Sequence, residues 1–178
     1  MSEIDDAKVT SSPLLIEAAT VADYERIGQL TVDAYVQAGH FADPQHEYLK
    51  FVRQVARRDK YCDILVARKD GHLVASMTLI QAGNEYADIA LEGELEIRML
   101  SVDPGVQRTG AGKAMVVAAI NFARQLADVH TVSLTTGERW LAARSLYESL
   151  GFIHRAERDW VVPNTDIRLV VYSLNLAD

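Results

Sequence analysis

The segment VDPGVQRTGAGKA, residues 102 to 114, combines glycine, basic side chains and the start of a helical pattern. Its three glycines let the backbone approach a ligand closely and point successive N–H groups at one place. Arg108 and Lys113 can add full positive charges, and the N-terminus of a following helix adds a partial one. These residue types suit a pyrophosphate. The alternative is a tight strand-to-helix connection with solvated basic residues.

Two common phosphate-binding patterns do not fit this segment. The ATPase P-loop places Lys directly after its second glycine, where Ala111 stands, and counting back from Lys113 requires a glycine at Gln107. The dinucleotide fingerprint G-x-G-x-x-G fails because Met115 occupies its third glycine position. What remains is Q-x-x-G-x-G between a strand and a helix.

Hydrophobic periodicity predicts the elements that position this segment. ELEIRMLSV (94–102) alternates as a strand, a helix follows over 110–127, and HTVSLTT (130–136) is a second strand. Such a βαβ crossover makes its two strands parallel neighbours. The other predicted elements are a strand at 14–16, helices at 21–39, 45–59 and 139–151, a hairpin turning at Asp70-Gly71, a loop at 83–93, and final strands at 152–162 and 166–174.

The order of these elements predicts the fold class. Two strands joined by a crossover, next to a hairpin, give a mixed central sheet of about seven strands with helices on both faces, a three-layer α/β (α+β) domain. With 178 residues the chain fits one domain, which we expect over 14–178 after a loose polar tail at 1–13.

Composition excludes several classes of protein. The net charge of −7 argues against a general nucleic-acid binder. No apolar stretch is long enough for a membrane span, and the polar N-terminus is no signal peptide, so we expect a cytoplasmic protein. Cys62 is the single cysteine and is predicted to be buried and inert rather than a nucleophile. The histidines show no metal-ligand spacing, so no metal is expected.

Two motifs together resemble the GNAT superfamily of N-acetyltransferases. Q-x-x-G-x-G after a strand ending in V-D-P resembles its acyl-CoA signature, and ARSLYESLGF (143–152) resembles its second motif, A-x-x-L-Y-x-x-x-G-F. The motifs occur in the family's order, and the predicted elements match the family fold over about 14 to 174. The resemblance implies transfer of an acetyl group from acetyl-CoA to a primary amine by direct attack in a ternary complex. Members of the family are often dimers, so the resemblance also allows a homodimer.

The resemblance implies where the cofactor lies. The strands flanking the crossover splay apart, and the pantetheine arm occupies the gap beside the strand before the turn. The pyrophosphate meets backbone N–H groups of the turn. The implied cofactor-binding residues are Leu100, Ser101, Val102, Gln107, Arg108, Thr109, Gly110, Ala111, Gly112, Lys113 and Ala143.

The resemblance also implies two catalytic residues. Tyr147 occupies the tyrosine position that protonates the departing CoA sulfur; the alternative is a core tyrosine with a structural hydroxyl bond. Glu96 occupies a position where several members carry the base that deprotonates the amine; the alternative is a carboxylate paired with Arg98. Strict alternation would put Glu96 on one strand face with Glu94, the nearest substitute base, and with Arg98, Leu100 and Val102.

The acceptor is not specified by any motif. The stretch NEYADIALEGELEI (84–97) holds five acids and no lysine or arginine, which would favour a cationic acceptor if it rims the pocket, with Tyr86 beside it. Small-molecule and peptide amines both remain open. Trp140 stands where family members often have asparagine, so the bond made there is absent or replaced. A non-catalytic acyl-CoA sensor and an O-acyl or longer-acyl transferase are the alternative functions.

Overall fold

A computed structural model describes residues 12–106 and 108–176. Most of the predicted N-terminal tail, and Gln107 of the first motif, lie outside the described residues. Eight strands and five helices are formed in the described part of the chain. In chain order they are β1 Leu15–Ala18, α1 Tyr24–Gln37, α2 Glu47–Val52, α3 Val55–Arg58, β2 Asp63–Lys69, β3 His72–Gln81, β4 Glu94–Val102, α4 Ala111–Ala123, β5 Thr131–Gly137, α5 Leu141–Ser149, β6 Ile153–His154, β7 Trp160–Val161 and β8 Arg168–Asn175.

The strands form one mixed sheet in the order β1-β2-β3-β4-β5-β8-β6, and β7 also pairs with β8. Only the β4–β5 pairing is parallel among the described strands, as the crossover predicts. Helices α4 and α5 pack on one face of the sheet in a cluster that includes Met115 and Tyr147, whereas α1, α2 and α3 pack on the other. The predicted three-layer fold is confirmed.

The β2–β3 hairpin confirms the turn predicted from Asp70-Gly71. The φ angles are +52° at Asp70 and +79° at Gly71, as a two-residue type I′ turn requires. Aspartate and glycine are among the few residues that adopt these angles at little cost. The two residue types therefore fix the position of this turn.

Two predicted elements are interrupted. The predicted helix at 45–59 breaks at Gln54, whose ψ is +55°. Across the break the Arg58 guanidinium donates to the carbonyl of Val52 at 2.9 Å. The predicted strand at 152–162 is divided by a 3₁₀ turn at Ala156–Arg158 into β6 and β7. That division gives the sheet eight strands instead of about seven.

No helix among the described residues combines the length and apolar character that crossing a membrane requires. The same residues hold no group of three or more His, Cys, Asp or Glu side chains placed to bind a metal ion. Cys62 is half-buried, and burial raises the pKa of its thiol to about 11. The thiol is therefore protonated at neutral pH and a poor nucleophile.

Candidate active site

Strands β4 and β5 separate part-way along their length. They pair from Glu94 opposite Thr131 to Ile97 opposite Leu134, and no further. Beyond that point β4 continues to pair only with β3, and β5 only with β8. The facing edges of residues 98–102 and 135–137 therefore lie beside a gap, here called the split. An extended chain that carries amide groups can pair with such an edge.

A β-bulge in β4 lies at the start of the split. Thr78 lies opposite Arg98, and the next aligned pair is Ser76 opposite Ser101. An advance of three positions along β4 therefore matches an advance of two along β3. The extra residue is Met99, whose φ is +53°.

The bulge corrects the predicted strand faces. Leu100 and Val102 pack against the α4–α5 side with Leu95 and Ile97, not on the face of Glu96, and Met99 packs against α1 and α2. Strict alternation fails because the inserted residue moves every later side chain of the strand to the opposite face of the sheet. Leu100, Val102, Ala143 and Tyr147 therefore all contact one cluster beside the split.

The glycine-rich turn presents a run of free backbone N–H groups. None of the N–H groups of residues 108 to 113 donates to an acceptor among the described residues. The first backbone bond of α4 runs from Ala114 to the Gly110 carbonyl at 2.9 Å. Arg108 and Gly110 have φ angles of +65° and +86°. Residues with positive φ that alternate with residues of negative φ point neighbouring N–H groups into a common concavity.

The turn is open to a ligand. Arg108, Thr109, Gly110 and Lys113 are exposed, whereas Ala111 is buried against the core. The N-terminus of α4 and two exposed basic residues therefore belong to the same turn. The arrangement is one that binds anions.

Tyr147 lies on α5 at the wall of the split. Its side chain is 8% exposed and packs against the rings of Phe152 and Tyr172. The hydroxyl makes no hydrogen bond to another described residue. Burial raises the pKa of Tyr147 to about 12, so the phenol is protonated throughout the neutral range.

Glu96 lies on the opposite face of the sheet, toward α1 and α2. Its side chain is fully buried, and its Oε2 accepts hydrogen bonds from the N–H groups of Asp88, Ile89 and Ala90 at 3.0 to 3.1 Å. Its Oε1 is buried without a hydrogen-bond partner among the described residues. Burial raises the pKa of Glu96, and the backbone donors and Arg98 oppose that rise. One oxygen therefore anchors the 83–93 loop while the other is free to take a proton.

Most acids of the 84–97 stretch are paired with arginine. Asp88 lies 2.8 Å from Arg98, Glu94 lies 2.9 Å from Arg158, and Glu85 lies 3.2 Å from Arg57. Arg98 also lies 3.9 Å from Oε1 of Glu96. Arg57 and Arg158 come from distant parts of the chain, and Arg98 directly follows the stretch, so the loop lacks most of the surplus negative charge that its own sequence suggested.

Trp140 connects the two helical layers at the open end of the split. Its indole stacks on His40, in the loop after α1, with ring centroids 3.5 Å apart. Burial lowers the pKa of His40 to about 4, so this imidazole is neutral at neutral pH. The indole also lies flat against Gly137, where an added Cβ would come within 2.4 Å of the ring.

This contact predicts that Gly137→Ala displaces Trp140. We expect a loss of about 1 to 3 kcal/mol in the free energy of unfolding, the usual cost of overpacking. Denaturant unfolding measures this loss. The same Gly137→Ala substitution is also made in a protein that already carries Trp140→Ala. Because alanine suits a strand at least as well as glycine, the substitution should cost nothing in that background. An equal loss with and without the Trp140 side chain would contradict the contact between Gly137 and the indole.

Comparison with known proteins decides the family. Residues 24–152 match the model of the acetyltransferase (GNAT) family. The chain belongs to this family. No match is found among curated proteins.

Three solved structures share the GNAT fold at low sequence identity. The yncA protein of Salmonella typhimurium, solved with acetyl-CoA, has a TM-score of 0.70 and 19% identity, covering 93% of this chain and 95% of that one. An acetyltransferase of Bacillus subtilis in complex with CoA gives 0.66 and 20%, covering 93% and 100%. The ribosomal-protein-S18-alanine N-acetyltransferase of Escherichia coli gives 0.67 and 19%, covering 93% and 96%.

Several residues of this GNAT site could not be found from the motifs. Arg98 was assigned only as a partner of Glu96, yet it also donates to the Tyr86 carbonyl and, at 3.5 Å, to the Tyr48 hydroxyl. Tyr35 and Tyr48 stack with parallel rings on the face of the sheet that α1 and α2 cover. A sequence signal existed only for their burial, because both fall on the apolar stripes of their helices.

Proposed function

We propose that the chain is an acetyl-CoA-dependent N-acetyltransferase that acts on a primary amine in a ternary complex. The observation that carries the proposal is the run of free N–H groups at residues 108–113 beside the split. In this proposal the turn binds the CoA diphosphate, with Arg108 and Lys113 adding charge. The split holds the pantetheine arm along Leu100, Ser101 and Val102, with Ala143 opposite. CoA and acetyl-CoA are bound by the Bacillus and Salmonella proteins, which share the fold.

The proposed reaction uses the two faces of the sheet. The neutral amine adds to the thioester carbonyl carbon, and the C–S bond breaks with its electron pair leaving on sulfur. The proton lost by the nitrogen goes to Oε1 of Glu96, directly or through water. Tyr147 gives its proton to the thiolate, which becomes more basic in an apolar site, and solvent restores the phenol proton. Because Glu96 and Tyr147 lie on opposite faces, acceptor and acetyl-CoA can be bound together.

Thiol release tests the proposed function directly. The protein is incubated with acetyl-CoA and a mixed panel of amines, and free CoA thiol is followed together with the acetylated amine by mass spectrometry. The proposal expects thiol release that depends on an amine. Acetyl-CoA binding without turnover would favour the non-catalytic sensor instead, and an acetylated alcohol would favour an O-acyltransferase.

The role of Glu96 predicts a pH effect. A base acts when deprotonated, and burial raises the pKa of Glu96, so kcat/KM should rise with pH through a value above that of an ordinary glutamate. In Glu96→Gln this rise of kcat/KM with pH should vanish, and kcat/KM should fall by about 100-fold at neutral pH. Glu92→Gln is the control, because Glu92 is an exposed acid of the same loop. A Glu96→Gln profile parallel to the wild-type profile would show that Glu96 only anchors the loop.

A cytoplasmic location and a homodimer, both expected from the sequence, stay predictions.

A further inference from the structure

Arg58 is a buried cation without a carboxylate partner. Its side chain is 1% exposed, and it donates to the Thr78 hydroxyl at 3.1 Å and to the Val52 carbonyl at 2.9 Å. Among the described residues no Asp or Glu lies within 4.0 Å of its guanidinium. Arg98 and Arg158, by contrast, each have carboxylate partners. An uncompensated buried charge is costly, so it calls for an explanation.

After burial, the groups that influence the pKa of Arg58 most are one thiol and three phenols. They are the Cys62 thiol and the phenols of Tyr35, Tyr86 and Tyr48. Burial is the dominant influence on Arg58 and lowers the pKa of its guanidinium. An arginine nevertheless keeps its proton at neutral pH. This side of the sheet therefore holds one buried guanidinium that no described carboxylate pairs with directly.

The Arg58 guanidinium lies close to the proposed reaction centre. It donates to Thr78, which pairs with Arg98 on the next strand, and Arg98 donates to the Tyr48 hydroxyl at 3.5 Å. Tyr35 stacks on Tyr48 with ring centroids 6.3 Å apart and planes 3° apart. The two arginines and the two stacked tyrosines thus share one neighbourhood with Glu96, whose Oε1 lies 3.9 Å from Arg98.

The stacked tyrosines have hydroxyl protons available. The Tyr35 hydroxyl makes no hydrogen bond to another described residue. The Tyr48 hydroxyl accepts from Arg98 at 3.5 Å, which leaves its own proton free to donate. Two phenolic donors near a buried positive charge favour an anionic group.

We propose that the acceptor carries a carboxylate beside its amine, as a free amino acid does. The hydroxyls of Tyr35 and Tyr48 donate to this carboxylate, and the charge of Arg58 stabilises it from behind without touching it. The inference rests on the proposed acetyltransferase function and narrows its substrate class. It also agrees with the arginine pairing of the 84–97 acids, which leaves little negative charge to repel such an acceptor.

Matched acceptor pairs test the inference in the wild-type protein. Each of a panel of L-amino acids is compared with its carboxamide, which has the same shape and no negative charge. The rates are corrected for the fraction of neutral amine. The wild type should acetylate the best acid with kcat/KM about 10- to 100-fold above its amide, the usual value of a charge-assisted contact. Equal rates for acids and amides would overturn the inference.

Substitutions at Arg58 assign the preference to its charge. Arg58→Met should reduce the acid-to-amide ratio by about tenfold, and Arg58→Lys should retain most of it. Arg57→Met is the matched control, because Arg57 is an exposed neighbour that pairs with Glu85 at the surface, and its ratio should not change. If Arg58→Met does not fold, Tyr35→Phe and Tyr48→Phe keep the rings and should each lower the ratio. A ratio unchanged in every folded variant would overturn the assignment.

The failure of this inference differs from failure of the proposed function. If other amines are acetylated but neither amino acids nor their amides are accepted, the inference that the acceptor carries a carboxylate is overturned. The proposed acetyltransferase function then still stands. If no amine is acetylated, the proposed function fails, and thermal unfolding then tests the carboxylate site by itself. An amino acid that raises the melting temperature of the wild type, while its amide does not, would support the site. No shift with any amino acid would overturn it.

Discussion

Gly112→Glu should abolish binding of acetyl-CoA. Gly112 is the second residue of α4, and its N–H group belongs to the free run at residues 108–113. A glutamate there places a carboxylate between β4 and α5, beside the split, and next to the proposed diphosphate site. Filled space and like-charge repulsion together should weaken binding by at least about 100-fold, or about 3 kcal/mol.

Two variants at the same position separate the causes. An added Cβ at Gly112 would lie 3.7 Å from Val102 and from Leu146, an ordinary contact, so Gly112→Ala should fold normally and keep most of its affinity. Gly112→Lys fills the space but reverses the charge, and should lose less affinity than the glutamate. Calorimetry measures the dissociation constants, and circular dichroism checks the fold. Unchanged affinity in a folded Gly112→Glu protein would overturn the site assignment.

Tyr147→Phe should lower kcat by about 100-fold while the dissociation constant of acetyl-CoA changes little. The ring packs against Phe152 and Tyr172 and stays in place, and the hydroxyl forms no hydrogen bond with a described residue that could be lost. Only the proton for the departing sulfur is removed. Stopped-flow thiol release gives kcat, and calorimetry gives the affinity.

Tyr172→Phe provides the matched control for this substitution. The Tyr172 hydroxyl donates to Glu148 at 2.6 Å and accepts from Arg144 at 3.0 Å, so its loss should cost about 1 kcal/mol of stability and leave kcat intact. The two tyrosines should thus show opposite patterns. Equal losses of kcat and affinity in Tyr147→Phe would mean that Tyr147 packs and does not react.

Local signals predicted the elements that carry the proposed cofactor site. The strand at 94–102, the glycine-rich turn and the helix after it are predicted from short segments, and each is found in the structure, although the bulge at Met99 breaks the alternation of the strand. The Asp70-Gly71 turn is another case, since its backbone angles depend on those two residues themselves. Residue types thus determined much of the framework around the split.

Features that depend on distant contacts could not be predicted. The φ of +53° at Met99 is imposed by packing on β3, α1 and α2, since methionine has no intrinsic preference for it. Arg158 reaches Glu94 across 64 positions of the chain, and no local pattern links them. Pairing with Arg98 was the alternative that the sequence offered for Glu96, whereas its hydrogen bonds come from three N–H groups of the loop before it. The acceptor side depends most on such contacts and was therefore the least predictable.

A crystal structure grown with saturating acetyl-CoA tests the central claim most directly. The account predicts the diphosphate within hydrogen-bond distance of the N–H groups of residues 108–113, and the pantetheine arm in the split beside Leu100 to Val102. A diphosphate bound elsewhere, or a turn that stays empty while acetyl-CoA is ordered in the crystal, would contradict it.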